Sequence, residues 1–148
     1  MNNLFVKLIL PILLLSFIGT VHSESSKSDK DLYELQEKCG KTTGDEFKKE
    51  WGNGIVNDKE SQMISKYVNH YNKRMNKCFY LLTTSTYPKN KKQTSVEMRG
   101  LWDIQENKSY GELDIYTVGT KLFICNVEET QCSSKQQWET LIKPYMND

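Results

Sequence analysis

Hydrophobic positions recur at two different periods along the chain. In DLYELQEKCGKTTGDEFKKEW, residues 31–51, the positions Leu32, Leu35, Cys39, Thr43, Phe47 and Trp51 return every three or four residues, which is the spacing of one helical face. Gly40 and Gly44 each cost a helix interior about 1 kcal/mol, so the pattern fits one long helix or two short ones. GNG at 52–54 is the expected stop. From Cys78 onward the period becomes two. VEMRGLWDI places Val96, Met98, Gly100, Trp102 and Ile104 on one side and Glu97, Arg99, Leu101 and Asp103 on the other, as in a half-buried strand.

Three further runs read as strands. CFYLLTTSTY precedes the loop PKNKKQ, YGELDIYTV follows the turn QENKS, and KLFICNV follows Gly119 and Thr120, which suit a tight hairpin turn. Periodicity leaves ISKYVNHY, within residues 61–77, open between a helix end and a fifth strand. Short connections favour an antiparallel meander. In SSKQQWETLIKPYMND, Ser133 with Gln136, or Ser134 with Gln137, has capping-box spacing. Trp138, Leu141, Ile142 and Tyr145 form one apolar stripe, and Pro144 is expected to end the helix. The fold expected is a two-layer α+β domain, a four-stranded or five-stranded meander sheet with the N-terminal and C-terminal helices packed on one face.

The amino terminus adds a compartment. A lysine, the apolar run LILPILLLSFIG, and Val21 and Ser23 before a polar segment make the layout of a secretory signal peptide. The apolar run is too short to cross a bilayer core of roughly 30 Å. Residues 1–23 are expected to be cleaved, 24–30 to form a flexible leader, and 31–148 to form one domain without a further membrane span. Removing 23 of 148 residues leaves 125, suited to a single modest core.

Cys39, Cys78, Cys125 and Cys132 all lie in that exported part, where an even set predicts two disulfides. Cys125 with Cys132 would bridge the polar loop NVEETQ, leaving Cys39 with Cys78. Zinc spacing is missing, because the closest pair is separated by six intervening residues and His70 is the one histidine after residue 23. No metal or cofactor is expected. The same lone histidine, without a GxSxG elbow, argues against a Ser-His enzyme, and paired cysteines leave no thiolate nucleophile. Asp103 with Glu112 or Asp114 is the candidate carboxylate pair for hydrolysis. GKTTG lacks the context of a phosphate loop. Asn107-Lys108-Ser109 fits an exposed turn, and is a sequon where the host glycosylates.

Charge by segment changes the picture once more. Residues 24–148 balance at 19 basic and 19 acidic, yet residues 61–99 hold eight basic and one acidic. Lys73, Arg74 and Lys77 flank one expected turn and Lys89, Lys91 and Lys92 the next, so they are candidate contacts for an anionic envelope component or an acidic protein. The turns before and after one strand lie at its opposite ends, which would instead leave two separate solvated clusters. Aromatic residues do not interleave with the basic ones, which argues against nucleic acid. The function expected is an exported binding or inhibitor-type protein without catalysis, in a bacterial periplasm or outside the cell. The alternatives are a small envelope hydrolase using a carboxylate pair and a structural component of the envelope.

Overall fold

The computed structural model describes residues 25–90, 92–116 and 121–148. The expected signal peptide, Glu24, Lys91 and the turn at Gly119 and Thr120 lie outside them. The first element is one unbroken 27-residue helix, α1 (Ser25–Trp51). The stretch 25–30, expected as a flexible leader, is its first part. Extending an anchored helix adds one hydrogen bond per residue fixed, and Lys30 pairs with Glu34 at 3.8 Å.

The two interior glycines do not split α1, and both face side chains of the sheet. A Cβ at position 44 would stand 3.1 Å from Tyr67 Oη, and one at position 40 would stand 3.7 Å from Asn69 Nδ2. Buried Thr43 lies between them and donates its hydroxyl to the Cys39 carbonyl at 2.9 Å. The helix stops where expected. Gly52 and Gly54 both have positive φ, and the Gly52 N–H donates to the Lys48 carbonyl at 3.0 Å.

Seven strands follow among the described residues: β1 (Ile55–Asn57), β2 (Ser61–Asn72), β3 (Lys77–Pro88), β4 (Val96–Asp103), β5 (Lys108–Tyr116), β6 (Leu122–Val127) and β7 (Thr130–Gln131). They pair antiparallel in chain order, so the expected meander is present with more strands than four or five. ISKYVNHY belongs to β2, which pairs with β3 over twelve residues. β1 and β7 are too short for a period-two signal. Two short helices close the chain, α2 (Lys135–Leu141) and α3 (Lys143–Met146). Ser134 Oγ caps α2 by accepting from the Gln137 N–H at 3.1 Å, while Gln137 Oε1 accepts from the Ser133 N–H at 2.9 Å. Pro144 does not end the helical segment; it occupies the first turn of α3, where a missing N–H costs nothing.

The helices lie on opposite faces of the sheet, not on one. Cys78 is bonded to Cys39 of α1, while its neighbour Phe79 meets the ring of Tyr145 on α3 at 5.3 Å. Consecutive strand residues point to opposite faces, so the domain has three layers. On the α2 side, Phe79, Leu101, Tyr110, Leu113 and Val127 enclose Trp138 and Ile142. On the α1 side, Tyr71 and the Cys39–Cys78 bridge form a smaller cluster, against which Leu32 and Ile104 pack. The second bridge, Cys125–Cys132, ties β6 to the segment after β7.

This arrangement reverses the two faces of β4. Leu101 and Asp103 are fully buried, whereas Met98 and Trp102 are 40% and 37% exposed. The apolar side of the alternation faces the side of α1, which packs on β2 and β3 and leaves β4 to β6 open there. The polar side is covered by α2, and its charges are paired. Glu97 accepts from Arg99 Nε at 2.8 Å and from Lys135 Nζ at 2.9 Å, and Arg99 reaches Glu139 at 3.2 Å.

Burial alone would raise the Glu97 pKa, but the Lys135 ammonium and the Arg99 guanidinium outweigh it and hold the carboxyl below its ordinary value. A lowered carboxylate contributes stability above its unfolded pKa and loses it as pH falls through the folded one. Glu97→Gln is therefore expected to cost about 1 kcal/mol near neutral pH and progressively less at an acid pH below the ordinary glutamate range. Urea unfolding at the two pH values checks this; an equal loss at both would rule out the ionic origin.

Candidate functional site

The basic residues do not form one patch. Lys73, Arg74 and Lys77 surround the β2–β3 turn, while Lys89 and Lys92 follow the far end of β3. A twelve-residue strand separates the two groups by roughly 35 Å. Several are also engaged. Arg74 donates to the Pro144 carbonyl at 3.3 Å, and Lys89 donates to the Asp58 carbonyl. Lys77 stands 2.5 Å from Asp103 and 2.7 Å from Glu106. Those two hydrogen bonds, that to Asp103 first, hold its ammonium far above the ordinary lysine range.

The carboxylate pair does not assemble either. Asp103 is buried on the α2 side, where its other oxygen accepts the Gln105 N–H at 3.0 Å. Glu112 and Asp114 pair in register with Gly100 and Met98, on the opposite face. Burial raises the Asp114 pKa. His70 lies 3.4 Å from the Asp148 carboxylate at the chain end, away from all three. Among the described residues, no three His, Cys, Asp or Glu side chains gather as a metal site, and no helix is long and apolar enough to cross a membrane.

What the fold does assemble is a slot of about 270 Å³ between the last turns of α1 and the sheet. Its helix side carries Glu46, Glu50 and Trp51; its sheet side carries Tyr80 and Leu82 of β3 and Trp102 of β4. Asp103 at the end of β4, and Ile104 and Asn107 from the β4–β5 turn, complete the lining. An aromatic ladder holds helix and sheet in register here, with Phe47 and Tyr67 at 4.7 Å between ring centroids and Tyr67 and Tyr80 at 5.5 Å.

Three features together mark this slot. First, Tyr80 is 4% exposed, yet its hydroxyl and the buried Trp51 indole N–H have no hydrogen-bond partner. Second, the two glutamates lie one helical turn apart, four residues, so they project from one face. Glu46 is paired with Lys49 at 3.1 Å, while Glu50 has no ion pair among the described residues. Burial, and then the charge of Glu50, raise the Tyr80 pKa, with Tyr67 and Glu46 adding to it, so the phenol is a neutral donor at any physiological pH. Third, Trp102 folds back over Gly100, where a Cβ would stand 2.6 Å from its Nε1. Only glycine lets the indole lie along the strand.

Comparison with known protein families, curated proteins and solved structures returns no match. The functional reading therefore rests on the chain's own chemistry. Of the slot residues only Asp103 was a candidate from sequence, as one half of the carboxylate pair; two signals bear on the others: the i, i+4 glutamates at the aromatic end of a helix, and a glycine two places before a tryptophan in a strand.

Proposed function

We propose that the protein is an exported ligand-binding module without catalysis, and that its ligand occupies the slot between α1 and the sheet. The observation that carries this reading is that two residues lining one concave, aromatic-lined space, Tyr80 and Trp51, each hold a buried polar atom, Oη and Nε1, without a hydrogen-bond partner. Buried polar groups are nearly always paired, and leaving one unpaired costs about 1–3 kcal/mol. A bound molecule would supply the missing partners. Convergent polar groups in an apolar recess are the usual form of a small-molecule site.

Export is supported by the two disulfides, which persist in oxidising compartments such as a bacterial periplasm or the extracellular space. The carboxylate pair named for the hydrolase alternative, Asp103 with Glu112 or Asp114, is divided between the two faces of the sheet, which favours the binding reading.

The three tryptophans provide the test. Trp51 and Trp102 line the slot and Trp138 lies under α2 on the other face, so their indole N–H signals in a ¹⁵N spectrum report on site and control. A library of small amines, sugars, amino acids and carboxylates is expected to include compounds that shift the Trp51 and Trp102 signals and leave Trp138 still. Tyr80→Phe should weaken those compounds about tenfold while leaving unfolding unchanged or slightly more costly, because it removes an unpaired hydroxyl. A library that moves neither signal, or moves Trp138 equally, would overturn the reading.

A further inference from the structure

We propose that the slot takes a small organic cation, an ammonium head group flanked by a neutral oxygen, the chemistry of amino alcohols and amino sugars. This rests on the slot being a ligand site. The charge follows from the lining: three acidic residues, Glu46, Glu50 and Asp103, and three aromatic ones meet there, and no basic residue lines it; the Asp103 carboxylate is already paired with Lys77. Lys49 offsets Glu46 from outside, so Glu50 leaves the recess with uncompensated negative charge. An anionic ligand would be repelled and desolvated together.

The aromatic faces fit the same charge. The face of a tryptophan or tyrosine ring is electronegative and attracts a cation within about 6 Å, tryptophan most strongly. Trp102, laid along β4 by Gly100, presents such a face while 37% exposed. Trp51 and Tyr80 add two more aromatic surfaces.

The neutral oxygen follows from the unsatisfied groups. The indole N–H of Trp51 can only donate, and the Tyr80 phenol stays protonated beside Glu50. Both need an acceptor, which an ammonium centre cannot provide. The ligand must therefore carry a hydroxyl, ether or carbonyl oxygen next to its charge. Size adds a bound: about 270 Å³ is near nine times the roughly 30 Å³ share of one liquid water. That admits one sugar ring or a head group, not a folded chain.

A matched pair of probes separates charge from shape. Glucosamine and glucose share a ring and differ in the amine, which is protonated at about pH 6. Titrations followed at the Trp51 and Trp102 indole signals are expected to give glucosamine at least tenfold the affinity of glucose, a gap that narrows at high salt. Choline should bind as well. Glu50→Gln should close the glucosamine–glucose gap. A short chitosan oligomer distinguishes the source, since tighter binding than the monomer means a cation carried on a polymer and equal binding means a free one; either result requires the cation to bind.

Equal affinities for glucosamine and glucose, or a gap that persists in Glu50→Gln, would overturn the cation and leave the binding slot standing. No shift from any of these probes would also overturn it, and the broader library above then decides whether the slot binds anything.

Discussion

Trp138→Ala should lower the unfolding free energy by about 3–5 kcal/mol, the largest loss expected from any single substitution in the chain. Trp138 is fully buried at the centre of the α2-side core, among Phe79, Leu101, Leu113 and Val127. The Arg99 guanidinium stands 5.9 Å from its ring, so the indole also supports the ion pairs that bind β4 to α2. At seven and four residues, α2 and α3 are too short to persist alone. Removing the indole leaves a cavity that the sheet, held by hydrogen bonds on both sides, cannot collapse to fill. The melting temperature should fall by roughly 10–20 °C, with early proteolysis at residues 133–148.

The chemistry of the site makes a finer contrast. Trp138 Nε1 is buried without a partner, so Trp138→Phe removes an unsatisfied donor together with some volume, and should cost only about 1–2 kcal/mol. Trp102→Ala, at a residue 37% exposed, should cost still less while changing the slot. Equal losses at positions 138 and 102 would show that the α2-side cluster is not the main core.

Local features were legible in the sequence because their causes are local. The capping serine of α2, the stripe ending at Trp138 and Tyr145, the GNG stop and both cysteine pairings depend on residues close in sequence or on elimination within a small set. Which face each helix covers depends on long-range docking, and the β4 alternation shows how that misleads. Val96, Met98, Gly100 and Trp102 form its apolar side, but Glu97, Arg99 and Asp103 can be buried once Lys135, Glu139 and Lys77 reach them. A hydrophobic pattern records the average preference of a face, and specific pairing overrides it. The slot was illegible for a related reason: Glu50, Tyr80 and Trp102 come from three elements, and nothing along the chain marks them as neighbours. The basic turns show the converse, charges prominent by segment that a twelve-residue strand holds apart.

Replacing Cys39 and Cys78 together with serine is the second large effect expected, and it should act on one layer. The bridge spans 39 residues in sequence, and closing a loop of that size restricts the unfolded chain by about 4 kcal/mol, against roughly 2.5 kcal/mol for the seven-residue span of Cys125–Cys132. The difference in place matters more than the difference in size. Much of α1 is exposed, including Tyr33 at 65% and Leu35 at 38%, so the bridge and the contacts of Thr43 and Phe47 carry its attachment. Without the bridge, α1 should open below the global unfolding temperature while the Trp138 core stays folded, a local opening of the kind amide exchange resolves. Amides of residues 30–50 should lose protection; those of β3 to β5 should keep it. Because Glu46, Glu50 and Trp51 ride on α1, the same variant should lose ligand response at the Trp51 indole, whereas the Cys125→Ser/Cys132→Ser variant should retain it. Uniform loss of protection across both layers would mean that helix and sheet unfold as one unit, and that the slot is not a separable feature of the α1 face.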